Sequence, residues 1–180
     1  MSGAIPDILG NVDTARFAAL VVLGLSGGCA TSETIRLDAA IPVTHTPAAE
    51  IPLEVVTHTV GLPRTLTVAG SHTKVHAVEE SLGHAVATAV VPWASTHQSE
   101  RTNGWQLVLD LWQASARQDG DQLEVRLGVR ATLLGRSTHW YVGQGQMHCT
   151  QAGHVGAPVF YACMSEIGRE VAGWLGQLQP

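Results

Sequence analysis

Two hydrophobic periods divide the chain from Leu53 onward. Leu53 to Val60 and Thr65 to Val68 are rich in β-branched residues and are separated by Gly61-Leu62-Pro63, so both predict strands. After Ser71 the period changes. Val75, Val78, Leu82, Ala85, Val86, Ala89 and Val90 recur at steps of three and four, predicting an amphipathic helix that Pro92 closes. A polar stretch from Ser95 to Asn103 follows as a loop. Strict alternation then returns. Trp105, Leu107, Leu109 and Leu111 form one strand face, and Leu123, Val125, Leu127, Val129, Ala131 and Leu133 form the next, against Glu124, Arg126 and Arg130. A third alternating run puts Tyr141, Gly143, Gly145, Met147 and Cys149 on the apolar side. Val159, Phe160, Cys163, Ile167, Val171, Trp174 and Leu178 complete the pattern as the stripe of a terminal helix.

The register of the first hairpin follows from burial. A loop of Gln118-Asp119-Gly120 sets Leu107 against Ala131, Leu109 against Val129 and Leu111 against Leu127, whereas a one-residue slip would turn the leucines toward Arg130 and Gly128. Gly120 then takes the left-handed position of the turn. The order of elements predicts an α+β fold: an antiparallel sheet, made of a three-stranded meander plus one or two N-terminal strands, with two helices packed on one face. The partner of the strand before the first helix is left open. Gly143 and Gly145 make a shallow notch on the apolar face where the last helix can come close.

The N-terminal part reads differently. Nine apolar residues, Phe17 to Leu25, follow Arg16 and precede Ser26-Gly27-Gly28-Cys29. A membrane span needs about 20 such residues, so the run has the length of a signal-peptide core. The arrangement resembles a bacterial lipoprotein signal and its lipobox, although Ser26 stands where that family usually has Leu. The resemblance implies cleavage before Cys29, acyl chains on its thiol and no other cofactor. Asp7 and Asp13 are unusual in a leader, and a start at Val12 would remove Asp7 while leaving Arg16. Ala30 in place of Asp implies the outer membrane, with the domain in the periplasm. Residues 30–52, with Pro42, Pro47 and Pro52, read as a tether; the alternative is an edge strand around Ile35 to Leu37. The predicted organisation is a signal peptide over 1–28, a lipidated tether over 29–52 and one domain over 53–180.

In an oxidising compartment Cys149 and Cys163, both directed to the core by this register, would form a disulfide. The alternative is two buried thiols.

The 180 residues are 45% hydrophobic and only 14% charged, with a formal charge of −5 and no basic run. That composition supports a folded core and argues against a nucleic-acid partner. Catalytic signatures are missing: there is no HExxH, no GxSxG and no phosphate loop, so an enzyme is not expected. His72, His76 and His84, near Glu79 and Glu80, could share one helix side, but lack a third ligand at a recognised spacing, so no metal is expected. Asp110 falls diagonal to Arg130, where a cross-strand ion pair is expected. On the sheet's second face the register collects Val108, Trp112, Arg130, Trp140 and Val142 among Arg126, Gln144 and Gln146. Tryptophan with arginine is enriched in interfaces; the alternative is a face covered by residues 30–60.

The whole pattern resembles the auxiliary lipoproteins of lipid-transport ABC systems and the LptE-like assembly lipoproteins. The residues carrying the likeness are the lipobox cysteine, the helix ending near VVPWA, the meander WQLVLDLWQASARQDGDQLEVRLGVRATL and the terminal SEIGREVAGWLGQL. The resemblance is architectural. It implies a non-catalytic accessory subunit that docks on a larger envelope complex. The alternative function is a lipid or glycolipid carrier, which needs an open apolar cavity between sheet and helices.

Overall fold

A computed structural model describes residues 33–37, 53–96, 104–135 and 141–178. Cys29 and Trp140 lie outside the described residues, as does most of the tether stretch. The elements are β1 (Thr34–Arg36), β2 (Leu53–Thr59), β3 (Leu66–Thr67), β4 (Lys74–His76), α1 (Val78–Thr96), β5 (Trp105–Asp119), β6 (Gln122–Gly135), β7 (Tyr141–His154) and α2 (Ala157–Leu175).

The fold is α+β, but the expected single antiparallel sheet is replaced by two mixed sheets. One has four strands in the order β2-β5-β6-β7, and the other three in the order β1-β4-β3. The meander β5-β6-β7 is antiparallel as expected, whereas β2 runs parallel to β5, from Leu53 opposite Trp105 to Thr59 opposite Leu111. In the small sheet β1 is parallel to β4. Residues 34–36 therefore take the strand alternative, not the tether, and Ile35 and Leu37 are buried in the core.

The expected inner face of the meander is right, but its register is displaced. Leu107 meets Leu133, Leu109 meets Ala131 and Leu111 meets Val129, two residues from the predicted pairing. Two features produce the shift. The turn is Gly120-Asp121, with Asp119 opposite Gln122 and Gly120 at φ +61° as expected. A bulge between Leu111 and Gln113 then inserts Trp112 as an unpaired residue. The bulge changes which parity faces inward: beyond it Ala114 and Ala116 take the side that Leu107 and Leu109 hold before it. A second irregularity between Leu133 and Leu134 takes Tyr141 off the apolar face and leaves it 60% exposed.

Helix α1 starts seven residues later than predicted from Ser71 and ends later than Pro92. Val75 fits the helical stripe by spacing, yet it sits in β4 between Ile35 and Leu66 and is fully buried there. Ala77, at φ +62°, separates the strand from the helix, and its carbonyl accepts the first helical hydrogen bond from the Ser81 amide. Pro92 lies inside the helix. It withholds a donor from the carbonyl four residues back, at a typical cost of about 3 kcal/mol. The final turn persists because Trp93 is buried edge-on against Trp105, with ring centroids 6.2 Å apart.

Both helices cover the inner face of the larger sheet. The α1 backbone approaches β2 at Gly83, where an added Cβ would strike the Thr57 hydroxyl. Helix α2 lies over β6 and β7, with Phe160, Met164, Ile167 and Val171 fully buried. The helices meet at Gly168, against the Ala85 carbonyl and the Ala89 side chain. The Cys149–Cys163 disulfide is formed and ties α2 to β7.

The small sheet joins the larger one beside β5. The Ala69 amide donates to the Ala116 carbonyl at 2.8 Å, and the Gln118 amide donates to Ala69 at 2.8 Å. Gly70 follows at φ +87°, and a Cβ there would run into the Gln118 carbonyl oxygen. Gly70→Ala is therefore expected to destabilise the fold by about 1–3 kcal/mol, combining left-handed strain with that clash. A urea unfolding midpoint equal to that of the parent would contradict this.

Candidate docking face and cleft

The outer face of the four-stranded sheet, opposite the helices, follows directly from the register. Across the strands it reads Val56, Val108, Thr132, Gln144, then His58, Asp110, Arg130, Gln146. The next row is Trp112 beside Gly128 and His148. Trp112 is 39% exposed, a large fraction for the biggest apolar side chain among the described residues of this face. Its ring lies over Gly128, where a Cβ would come within 3.0 Å of it. It also meets the His148 ring edge-on, with centroids 5.2 Å apart. An aromatic side chain laid across a strand glycine shields backbone that has no side chain of its own. The bulge makes this possible by aiming Trp112 sideways onto β6.

Of the face residues predicted, Val108, Trp112 and Arg130 are brought together here. Val142 is not with them: it occupies the irregularity at the start of β7 and packs against the hydrophobic core. Trp140 lies outside the described residues. Asp110 is directly opposite Arg130 rather than diagonal to it, and the expected ion pair between them is not made. The nearest cation–anion contact on the face joins Arg126 Nε to Glu124 Oε1, both on β6. Gln144 Nε2 donates to Thr132 Oγ1 at 3.2 Å.

Gly128 and His148 were missed by sequence reasoning. The available signal was Gly128 itself, an isolated glycine in an alternating strand, which often marks a bulge or a close approach.

The histidines do not share a helix side. His72 precedes β4, His76 ends it, and only His84 lies on α1. His76 Nδ1 is 3.3 Å from Thr65 Oγ1. Among the described residues no three His, Cys, Asp or Glu side chains converge as a metal ion would require. Among the same residues no helix is long and apolar enough to cross a membrane.

The Gly143/Gly145 notch is filled. Leu178 and Trp174 lie over Gly143 and Trp174 over Gly145, where added Cβ atoms would come within 3.0 to 3.6 Å of these side chains. The open cleft lies at another place, where β2 parts from β5 at the bulge. It has a volume of about 550 Å3 and is bounded by the residues after β2, by the start of α1, and by Leu111 and Ala114.

No family model matches the sequence, and no curated protein matches it. Several solved structures are similar in outline. A Xanthomonas campestris protein of the DUF330 family aligns at TM-score 0.49 and 13% identity, covering 73% of this chain and 91% of that one. A Caulobacter crescentus protein provisionally designated a lipoprotein aligns at 0.44 and 14%, covering 72% and 93%. An uncharacterized protein aligns at 0.40 and 10%, covering 69% and 89%. Likeness at this level assigns no function.

Proposed function

We propose that this chain is a non-catalytic envelope lipoprotein, anchored in the outer membrane through acyl chains on Cys29, that docks on a larger envelope protein complex of a transport or assembly system. The observation that carries the docking role is the outer sheet face, on which no helix of the described residues packs and where the half-open Trp112 sits beside His148, Arg130 and Val108. A large aromatic group with an unpaired guanidinium nearby is the composition that concentrates binding energy at interfaces. The filled Gly143/Gly145 notch leaves no space for an acyl chain between β7 and α2, and the open cleft beside β5 is bordered by Arg64, Glu79 and Glu80, whose charges suit an acyl chain poorly, so docking is favoured over the carrier alternative. Anchoring by two acyl chains, at about 0.8 kcal/mol per buried methylene, would free the domain from needing a membrane-binding surface.

The test uses the full chain in intact envelopes, with a photo-crosslinking amino acid at position 108 or 112 and, as control, at the exposed Arg169 of α2. A discrete adduct to one protein from 108 and 112, absent from 169, is the expected result. With the crosslinker at position 108, adding Trp112→Ala and Arg130→Glu should reduce the adduct at least about tenfold, the loss expected when an interface anchor and its neighbouring charge are removed. Adducts of equal yield from all three positions would reject the face. The anchor has its own test: Cys29→Ser should abolish incorporation of labelled palmitate and leave the leader uncleaved.

A further inference from the structure

The cleft beside β5 has a chemical character of its own. Its lining includes the apolar side chains of Leu62, Leu66, Leu111 and Ala114. Its rim carries charges of both signs on different elements: Arg64 on the segment between β2 and β3, and Glu79 and Glu80 in the first turn of α1. Arg64, Glu79 and Glu80 make no ion pair or side-chain hydrogen bond. Opposite charges that border one cleft without bridging each other leave both signs available to a guest. The backbone holds them apart: Arg64 precedes the two-residue β3, while the glutamates follow Ala77, whose left-handed conformation turns the chain from β4 into the helix.

We propose that this cleft binds a short zwitterionic peptide of about two or three residues with apolar side chains. Its ammonium group is taken by Glu79 and Glu80, its carboxylate by Arg64, and its side chains pack against the apolar part of the lining. The volume lies within the range of about 300–1,000 Å3 typical of small-molecule sites. A purely anionic guest would meet two carboxylates, and a purely cationic one would meet the guanidinium. A guest with both charges satisfies each rim group, and charge-assisted hydrogen bonds of this kind are the stronger class. The site is separate from the outer sheet face, so it stands or falls independently of the docking role.

Isothermal titration of the full chain in dodecylmaltoside tests this with four soluble probes: Leu-Leu, N-acetyl-Leu-Leu, Leu-Leu-amide and Gly-Gly. Leu-Leu should bind saturably at one site. Each capped peptide should bind about tenfold more weakly, as expected for loss of one charged hydrogen-bonding group, and Gly-Gly should be weaker still. The variants then separate the two ends. Glu79→Gln with Glu80→Gln should erase the preference over N-acetyl-Leu-Leu while keeping the preference over the amide, and Arg64→Gln should do the reverse. Absence of saturable Leu-Leu binding would overturn the proposal. So would an equal loss for every peptide in either variant, or preferences that survive both.

Discussion

A valine at position 168 is expected to lower the unfolding free energy by about 3 kcal/mol, the upper part of the usual range for overpacking. At Gly168 helix α2 comes close to α1. A Cβ there would come to 3.1 Å from the Ala85 carbonyl oxygen and 3.1 Å from the Ala89 Cβ. The first of these neighbours is helix backbone, which cannot rotate away as a side chain would. Valine adds two further methyl groups at the same place, so the helices must separate and loosen the packing of Ile167 and Val171 behind them. Gly173, in the same helix, makes the control. It is exposed, and a Cβ there meets nothing within 4 Å. Gly173→Ala should raise stability by about 0.5–1 kcal/mol, because alanine loses less backbone freedom on forming a helix. Urea unfolding reads both, as opposite shifts of the midpoint at unchanged slope. A valine at 168 with the parent's midpoint would show that the helices do not meet there.

Loss of the disulfide is expected to cost about as much. Cys149 and Cys163 are 14 residues apart and close a loop that includes the turn from β7 into α2. On the chain-entropy account a loop of this size contributes about 3 kcal/mol. For a chain of this length that corresponds to a fall in melting temperature of roughly 6–12 °C. Replacing both cysteines by alanine tests the value without leaving a lone thiol. The pair is buried, and beside it Gln151 Nε2 donates to Glu166 Oε2 at 2.7 Å, a second link between the same two elements. The fold should therefore survive the double substitution with lower stability. Melting curves that coincide with and without reductant, with thiol titration proving the bond open, would remove the bridge from the account of stability.

These expectations rest on features of unequal legibility. The inner faces of β5 and β6 were readable because alternation over many residues permits only one parity to be buried. The α2 stripe was readable for the same reason at helical period, although Met164, Gly168 and Leu175 escaped it. Met164 broadens the stripe to the width that two neighbours, sheet and α1, demand. The α1 boundaries were not readable. Val75 satisfies both periods, and only its position between Ile35 and Leu66 selects the strand. Pro92 is a valid stop signal locally, overruled by the burial of Trp93 against Trp105.

The candidate sites were the least legible part. Val108, Trp112 and Arg130 were placed on the right face, yet the neighbours that shape it depend on a bulge. One inserted residue at Trp112 is invisible in an alternating pattern until its partner strand is known. The cleft depends on β2 and Ala69 both flanking the same edge of β5 with a gap between them, a juxtaposition of residues far apart in sequence.

By itself the amino-acid order determined the α+β class, the buried faces of the meander, the stripe of the last helix and the placement of Cys149 and Cys163 in one core. Each of these is set by local periodicity, since side-chain direction repeats every two residues in a strand and every three or four in a helix. The tertiary structure alone decided that β2 runs parallel to β5, that residues 34–36 belong to a second sheet, and that Arg64 and the glutamates of α1 border one cleft. Those outcomes depend on which distant backbone groups find hydrogen-bond partners. Such pairing is chosen by competition across the whole fold, and no window of neighbouring residues contains it.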